Sequence, residues 1–66
     1  MKPAIMSAII ETIMETAQKC VDYGNSKFTA YRKTFTAEYI DAKTGRFLVD
    51  GEDCGIRFYE GQVCLL

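Results

Sequence analysis

The first third of this chain constrains the rest. At 100° per residue, Ile5, Met6, Ile9, Ile10, Ile13, Met14, Ala17, Cys20 and Val21 fall on one half of a helical wheel. Ser7, Glu11, Glu15, Gln18, Lys19 and Asp22 fall on the other half. The spacing predicts an amphipathic helix over residues 3 to 23. Pro3 suits a first helical turn, where its missing N–H costs nothing. Glu15 and Lys19 form an i,i+4 pair of the favourable orientation, and Gly24-Asn25 supplies a left-handed stop. The apolar arc is about 180° wide, whereas a helix lying on one sheet needs little more than about 100°. One flank, Met6, Ile10, Met14 and Val21, is therefore surplus. Either a strongly curled sheet wraps the helix, or that flank meets a second copy of the chain in a homodimer.

After Ser26 the period changes from 3.6 to 2. Tyr31, Phe35, Ala37 and Tyr39 alternate with Arg32, Thr34, Thr36 and Glu38, which predicts one long half-buried strand over 27–41, bent or bulged where Phe28 and Ile40 break the even face. Lys43-Thr44-Gly45 reads as a three-residue hairpin loop with glycine in the left-handed position. That register sets Tyr39 opposite Val49 and Ile40 opposite Leu48. Further strands follow over 46–50, 56–59 and 62–66. A looser acidic turn lies around Asp50 to Gly55, and a two-residue turn at Glu60-Gly61 pairs Phe58 with Val63 and Ile56 with Leu65. The expected architecture is α+β: an N-terminal helix on a three- to four-stranded antiparallel meander, one domain over 1–66.

Sixty-six residues bury only about 60% of the surface exposed when unfolded. An apolar content of 48% and a charged content of 26% still describe a folded chain. No apolar run approaches the roughly 18 residues of a membrane-spanning helix. Histidine is absent, so Ser7, Ser26 and the thiols of Cys20, Cys54 and Cys64 have no imidazole base. Three cysteines without histidine do not make a four-ligand zinc site. Their odd number reads as free thiols in a reducing, cytoplasmic compartment. The glycines are scattered rather than gathered into a phosphate loop, and Asp50, Glu52 and Asp53 read as a solvated turn. The expectation is a protein that is not an enzyme and carries no cofactor or metal.

What remains is binding. Lys27, Arg32, Lys33, Lys43 and Arg46 outweigh Glu38 and Asp41 by three charges over residues 26 to 49, and residues 50 to 66 carry a net −3. The sheet face away from the helix is expected to display Phe28, Arg32, Arg46, Arg57 and Tyr59, arginine and aromatic anchors of the kind found at protein interfaces. The leading expectation is a small protein-binding module that acts by steric occlusion of a partner. Inhibitors of the phage or mobile-element type, including anti-CRISPR and other anti-defence proteins, are its most concrete form by analogy of size. A nucleic-acid-binding regulator using Lys27, Arg32, Lys33, Lys43 and Arg46 is the alternative, and a structural homo-oligomer a further one.

Overall fold

The computed structural model describes residues 3–65, with side chains from residue 9 onward. One helix, α1 (Pro3–Tyr23), precedes five strands: β1 (Lys27–Ala30), β2 (Lys33–Asp41), β3 (Thr44–Val49), β4 (Glu52–Tyr59) and β5 (Gln62–Leu65). The strands form one antiparallel sheet in the order β1-β2-β3-β4-β5. The sheet thus has five strands rather than three or four, and α1 packs on one face, touching both edge strands, β1 and β5. None of the described helix is long and apolar enough to cross a membrane.

Helix α1 ends as its sequence requires. Gly24 adopts φ +68°, its N–H donates to Val21 O at 3.1 Å, and Asn25 N donates to Cys20 O at 2.9 Å. These two bonds make a Schellman cap, which satisfies carbonyls that the last turn leaves open. The Asn25 carbonyl then accepts from Tyr39 Oη at 2.8 Å and Cys20 Sγ at 3.3 Å, tying the helix exit to the sheet.

The fifth strand comes from a turn that carries no sequence signal. Residues 27–41 are not one bent strand but the hairpin of β1 and β2, reversed at Tyr31-Arg32 with φ of 51° and 65°. Left-handed backbone at both central residues of a two-residue turn defines the type I′ hairpin, usually built from Asn and Gly. The reversal pairs Phe28 with Phe35 and brings both to the helix side. Asp50-Gly51, with φ of 55° and 82°, makes a second turn of this kind, so β4 begins at Glu52 and not at residue 56. Glu60-Gly61, with φ of 49° and 85°, makes the third and sets Phe58 opposite Val63 and Ile56 opposite Leu65, as expected.

The β2–β3 hairpin differs from the expected register. Tyr39 pairs with Gly45, Phe35 with Val49 and Thr36 with Leu48, and a bulge lies between Tyr39 and Asp41. Each partner is displaced by four residues, an even number, so the faces are preserved. Gly45 is consequently a buried strand residue rather than a turn glycine. A Cβ there would stand 2.8 Å from Phe58 Cζ and 2.9 Å from Tyr39 Cα, and would overlap the Glu38 carbonyl oxygen. The missing side chain lets the Tyr39 and Phe58 rings meet edge-on over it, at 5.1 Å.

The core joins Ala17, Cys20 and Val21 of α1 to Phe35, Phe47, Ile56 and Phe58 of the sheet. Five rings form a chain across it. Phe28 stacks on Phe35 at 4.7 Å and meets Phe47 edge-on at 5.3 Å; Phe47 leans on Phe58 at 5.3 Å, and Phe58 meets Tyr39. Ile13 is half-buried and packs at the margin of this core rather than at its centre.

Gln18, on the polar half of the wheel, does something the wheel does not reveal. Its Nε2 donates to Gly61 O at 2.7 Å and its Oε1 accepts from Val63 N at 3.1 Å. The side-chain amide thus pairs with the outer edge of β5 as a neighbouring strand would.

Truncation of Phe35 to alanine is expected to cost about 3–5 kcal/mol, and of Ile13 less, since its site is only partly enclosed. Chemical denaturation of the two variants checks the order. Gly45→Ala is expected to lower the unfolding midpoint sharply, because the atoms it meets are backbone and packed ring. A Gly45→Ala variant as stable as the parent would overturn the close packing described.

Candidate protein-binding face

The sheet face away from α1 carries an ion-pair ladder across three strands. Arg46 on β3 pairs in register with Glu38 on β2 and with Arg57 on β4. Two arginines directly opposite each other repel. Asp53 resolves that conflict. Its Oδ2 accepts from Arg57 Nη1 at 2.6 Å and from Arg46 Nη1 at 3.2 Å, while Arg46 Nε donates to Glu38 Oε1 at 2.6 Å.

A bulge puts Asp53 in reach. The register of β4 against β3 shifts between Leu48–Asp53 and Arg46–Arg57, so that Cys54, Gly55 and Ile56 span the place of one residue. Gly55 takes φ +92° there, and its N–H donates to Asp53 Oδ1 at 2.8 Å. Three donors therefore hold one carboxylate. They keep Asp53 below its ordinary pKa of 3.8, the Gly55 N–H first, then Arg57, with Arg46 adding to it. The same network raises the Arg46 guanidinium, chiefly through its hydrogen bond to Glu38 and then that to Asp53.

Around this ladder lie exposed apolar groups. Ile40, thrown out by the β2 bulge, is 81% exposed, and Tyr59, two residues beyond Arg57 on the same face of β4, is 65% exposed. Glu38, Ile40, Gly45, Arg46 and Arg57 line a shallow groove.

The anchors expected on this face are therefore brought together only in part. Arg46, Arg57 and Tyr59 share it. Phe28 does not: the Tyr31-Arg32 reversal turns it to the helix side, half-buried against Phe35 and Phe47. Arg32 stands exposed in that turn, at the end of the sheet. Of the five cations expected to contact nucleic acid, Arg32 and Lys33 sit at one end of β2 and Lys43 in the turn at its other end, roughly 25–30 Å away. Lys27 lies on the open face beside Thr36, and Arg46 is neutralised in the ladder. Sequence reasoning missed Asp53 and Glu38 as partners of the arginines; the i,i+4 spacing of Asp53 and Arg57 belongs to a helix, and only the bulge makes it short here.

A second recess lies between α1 and the sheet, an apolar cleft of about 230 Å³ lined by Ile10, Ile13, Met14, Phe35, Cys54, Ile56 and Leu65. Ile10 and Met14 of the expected dimer flank line it, Val21 is buried in the core, and the side chain of Met6 lies outside the described residues. Of the thiols, Cys20 is buried, and that burial pushes its pKa up; Cys54 is half-buried and Cys64 exposed.

Asp53→Asn is expected to lower the unfolding midpoint near neutral pH. A carboxyl whose folded pKa is depressed stabilises the fold above its unfolded pKa and loses that effect as pH falls through the folded value. The gap between parent and variant should therefore close as pH drops below 3.8. A gap constant from pH 7 to acid would remove the ionised ladder from the account.

No protein-family model matches the chain, and no curated protein or solved structure is significantly similar to it.

Proposed function

We propose that the protein is a small, non-enzymatic protein-binding module whose open sheet face covers the surface of another protein, the occluding mode of small anti-defence inhibitors. One observation carries the reading. Exposed Ile40 and Tyr59 flank a pair of arginines already locked by Glu38 and Asp53. Arginine and tyrosine are favoured interface anchors, and side chains held before binding lose less entropy on association. The groove beside Ile40 offers a partner side chain an apolar wall and a charged floor.

The ladder also weighs against the nucleic-acid alternative. Phosphate binding draws on several cations whose charge is free for the backbone. Here Glu38 and Asp53 balance Arg46 and Arg57, and the unpaired lysines lie apart. A protein partner with mixed polar and apolar character fits this face better than a polyanion.

Affinity capture followed by variants of the face tests the reading. Ile40→Glu and Tyr59→Ala are expected to weaken a stoichiometric protein partner by about 2 kcal/mol each, without moving the unfolding midpoint. A partner whose affinity ignores both substitutions would sink the assignment of this face. Oligonucleotide binding that falls steeply with salt would favour the alternative.

A further inference from the structure

The two edges of the sheet are not equivalent. On β5, the Gln18 amide occupies Gly61 O and Val63 N. On β1, no such cover exists among the described residues. Ala37 N donates to Ser26 O at 2.8 Å, which makes Ser26–Ala37 a hydrogen-bonded pair. Antiparallel ladders alternate, so Phe28–Phe35 and Ala30–Lys33 also bond to each other. The N–H and C=O groups of Lys27 and Thr29 must then point away from β2, and among the described residues nothing bonds to them.

We propose that β1 is the contact edge of a homodimer, in which β1 pairs antiparallel with β1 of a second copy to give a continuous ten-stranded sheet. The occupant and its register follow from the four-residue strand itself. A two-fold axis at Phe28 sets Lys27 opposite the partner's Thr29 and Thr29 opposite the partner's Lys27. That is the one register in which both outward-facing residues pair within the strand. Centring on Lys27 instead pairs Thr29 with Asn25, outside the strand, and sets two lysines face to face. Centring on Thr29 pairs Lys27 with Tyr31, in the left-handed turn.

The Phe28 register also suits the side chains. The two Phe28 residues meet in a non-hydrogen-bonded pair, where side chains approach most closely. Each is half-buried on the edge strand, packed on Phe35 and Phe47, so the contact covers ring surface that a lone chain leaves in water. Lys27, the charge that would guard such an edge, faces threonine rather than lysine. The interface is small, which places the association in the weak, reversible range. It is independent of the open-face reading, because Ile40 and Tyr59 lie on other strands.

Sedimentation velocity of the full chain across the micromolar-to-millimolar range tests the pairing. The parent is expected to show a reversible monomer–dimer equilibrium. Thr29→Glu places a carboxylate against the partner's Lys27 twice and is expected to tighten the dimer about tenfold; Thr29→Lys is expected to loosen it by a similar factor. Thr29→Pro removes an N–H that β2 does not use and is expected to abolish the dimer. The Glu and Lys variants change one exposed side chain and decide the matter even if the proline variant fails to fold. A parent that stays monomeric throughout overturns the proposal, as does a dimer indifferent to the charge at residue 29.

Discussion

Left-handed backbone at the tips of three hairpins is the constraint on which the rest of this structure depends. Tyr31-Arg32, Asp50-Gly51 and Glu60-Gly61 each carry two consecutive residues of positive φ. Such turns match the right-handed twist of their strands and fix the register where each hairpin starts; the later β4 bulge sets three residues against one and so keeps the faces. Every strand pair they join therefore has a fixed parity, and that parity sends Phe28, Phe35, Phe47, Ile56 and Phe58 to one face. The one hairpin without such a turn, around Ala42-Lys43, is the one that needs a bulge at Ile40 to close.

How much of this was legible in the sequence depended on whether the turn residues declare themselves. The helix is plain in its periodicity, and its Gly24-Asn25 stop forms as read. Glu60-Gly61 has glycine where φ must be positive, and its register follows directly. Tyr31-Arg32 has neither glycine nor asparagine, and alternation continues through it, so the chain reads as unbroken strand. Its strain is borne by the stacked Phe28 and Phe35 rings that the reversal brings together. Gly45 misleads in the opposite sense. It looks like a turn residue, yet its role is close packing beneath Tyr39 and Phe58, a demand set by strands distant in sequence. The candidate face was half legible for the same reason: Arg57 and Tyr59 follow from a declared turn, whereas the place of Phe28 follows from a silent one.

Charge shows the same difference between sequence and space. Along the chain, a basic stretch over residues 26 to 49 precedes an acidic one. Folding does not keep them apart. The meander lays β4 against β3, and the bulge at Gly55 swings Asp53 from the acidic stretch onto Arg46 of the basic one. Exposed ion pairs of this kind contribute little to stability singly, because water screens them. Their effect here is geometric: they hold two long side chains in one arrangement at the centre of an open face.

The width of the helix's apolar arc is explained within one chain more fully than a three- or four-stranded sheet allows. A fifth strand extends the sheet to both sides of α1. Val21 is covered, and Met14 packs against the core margin. On the β5 side the boundary between apolar arc and solvent is Gln18, which spends its amide on strand backbone rather than on water. Ile10 of that flank stays exposed and lines the apolar cleft with Met14, and the side chain of Met6 lies outside the described residues. Unmet backbone valence lies on the β1 side, where β1 has a half-covered phenylalanine and two residues whose backbone groups face outward, with no helix side chain among the described residues to meet them. A sheet partly capped at its β5 edge by its own helix and left uncapped at β1 grows more readily at β1. A two-fold contact at that edge ends the growth after a single step, because it uses up the open edge of both copies.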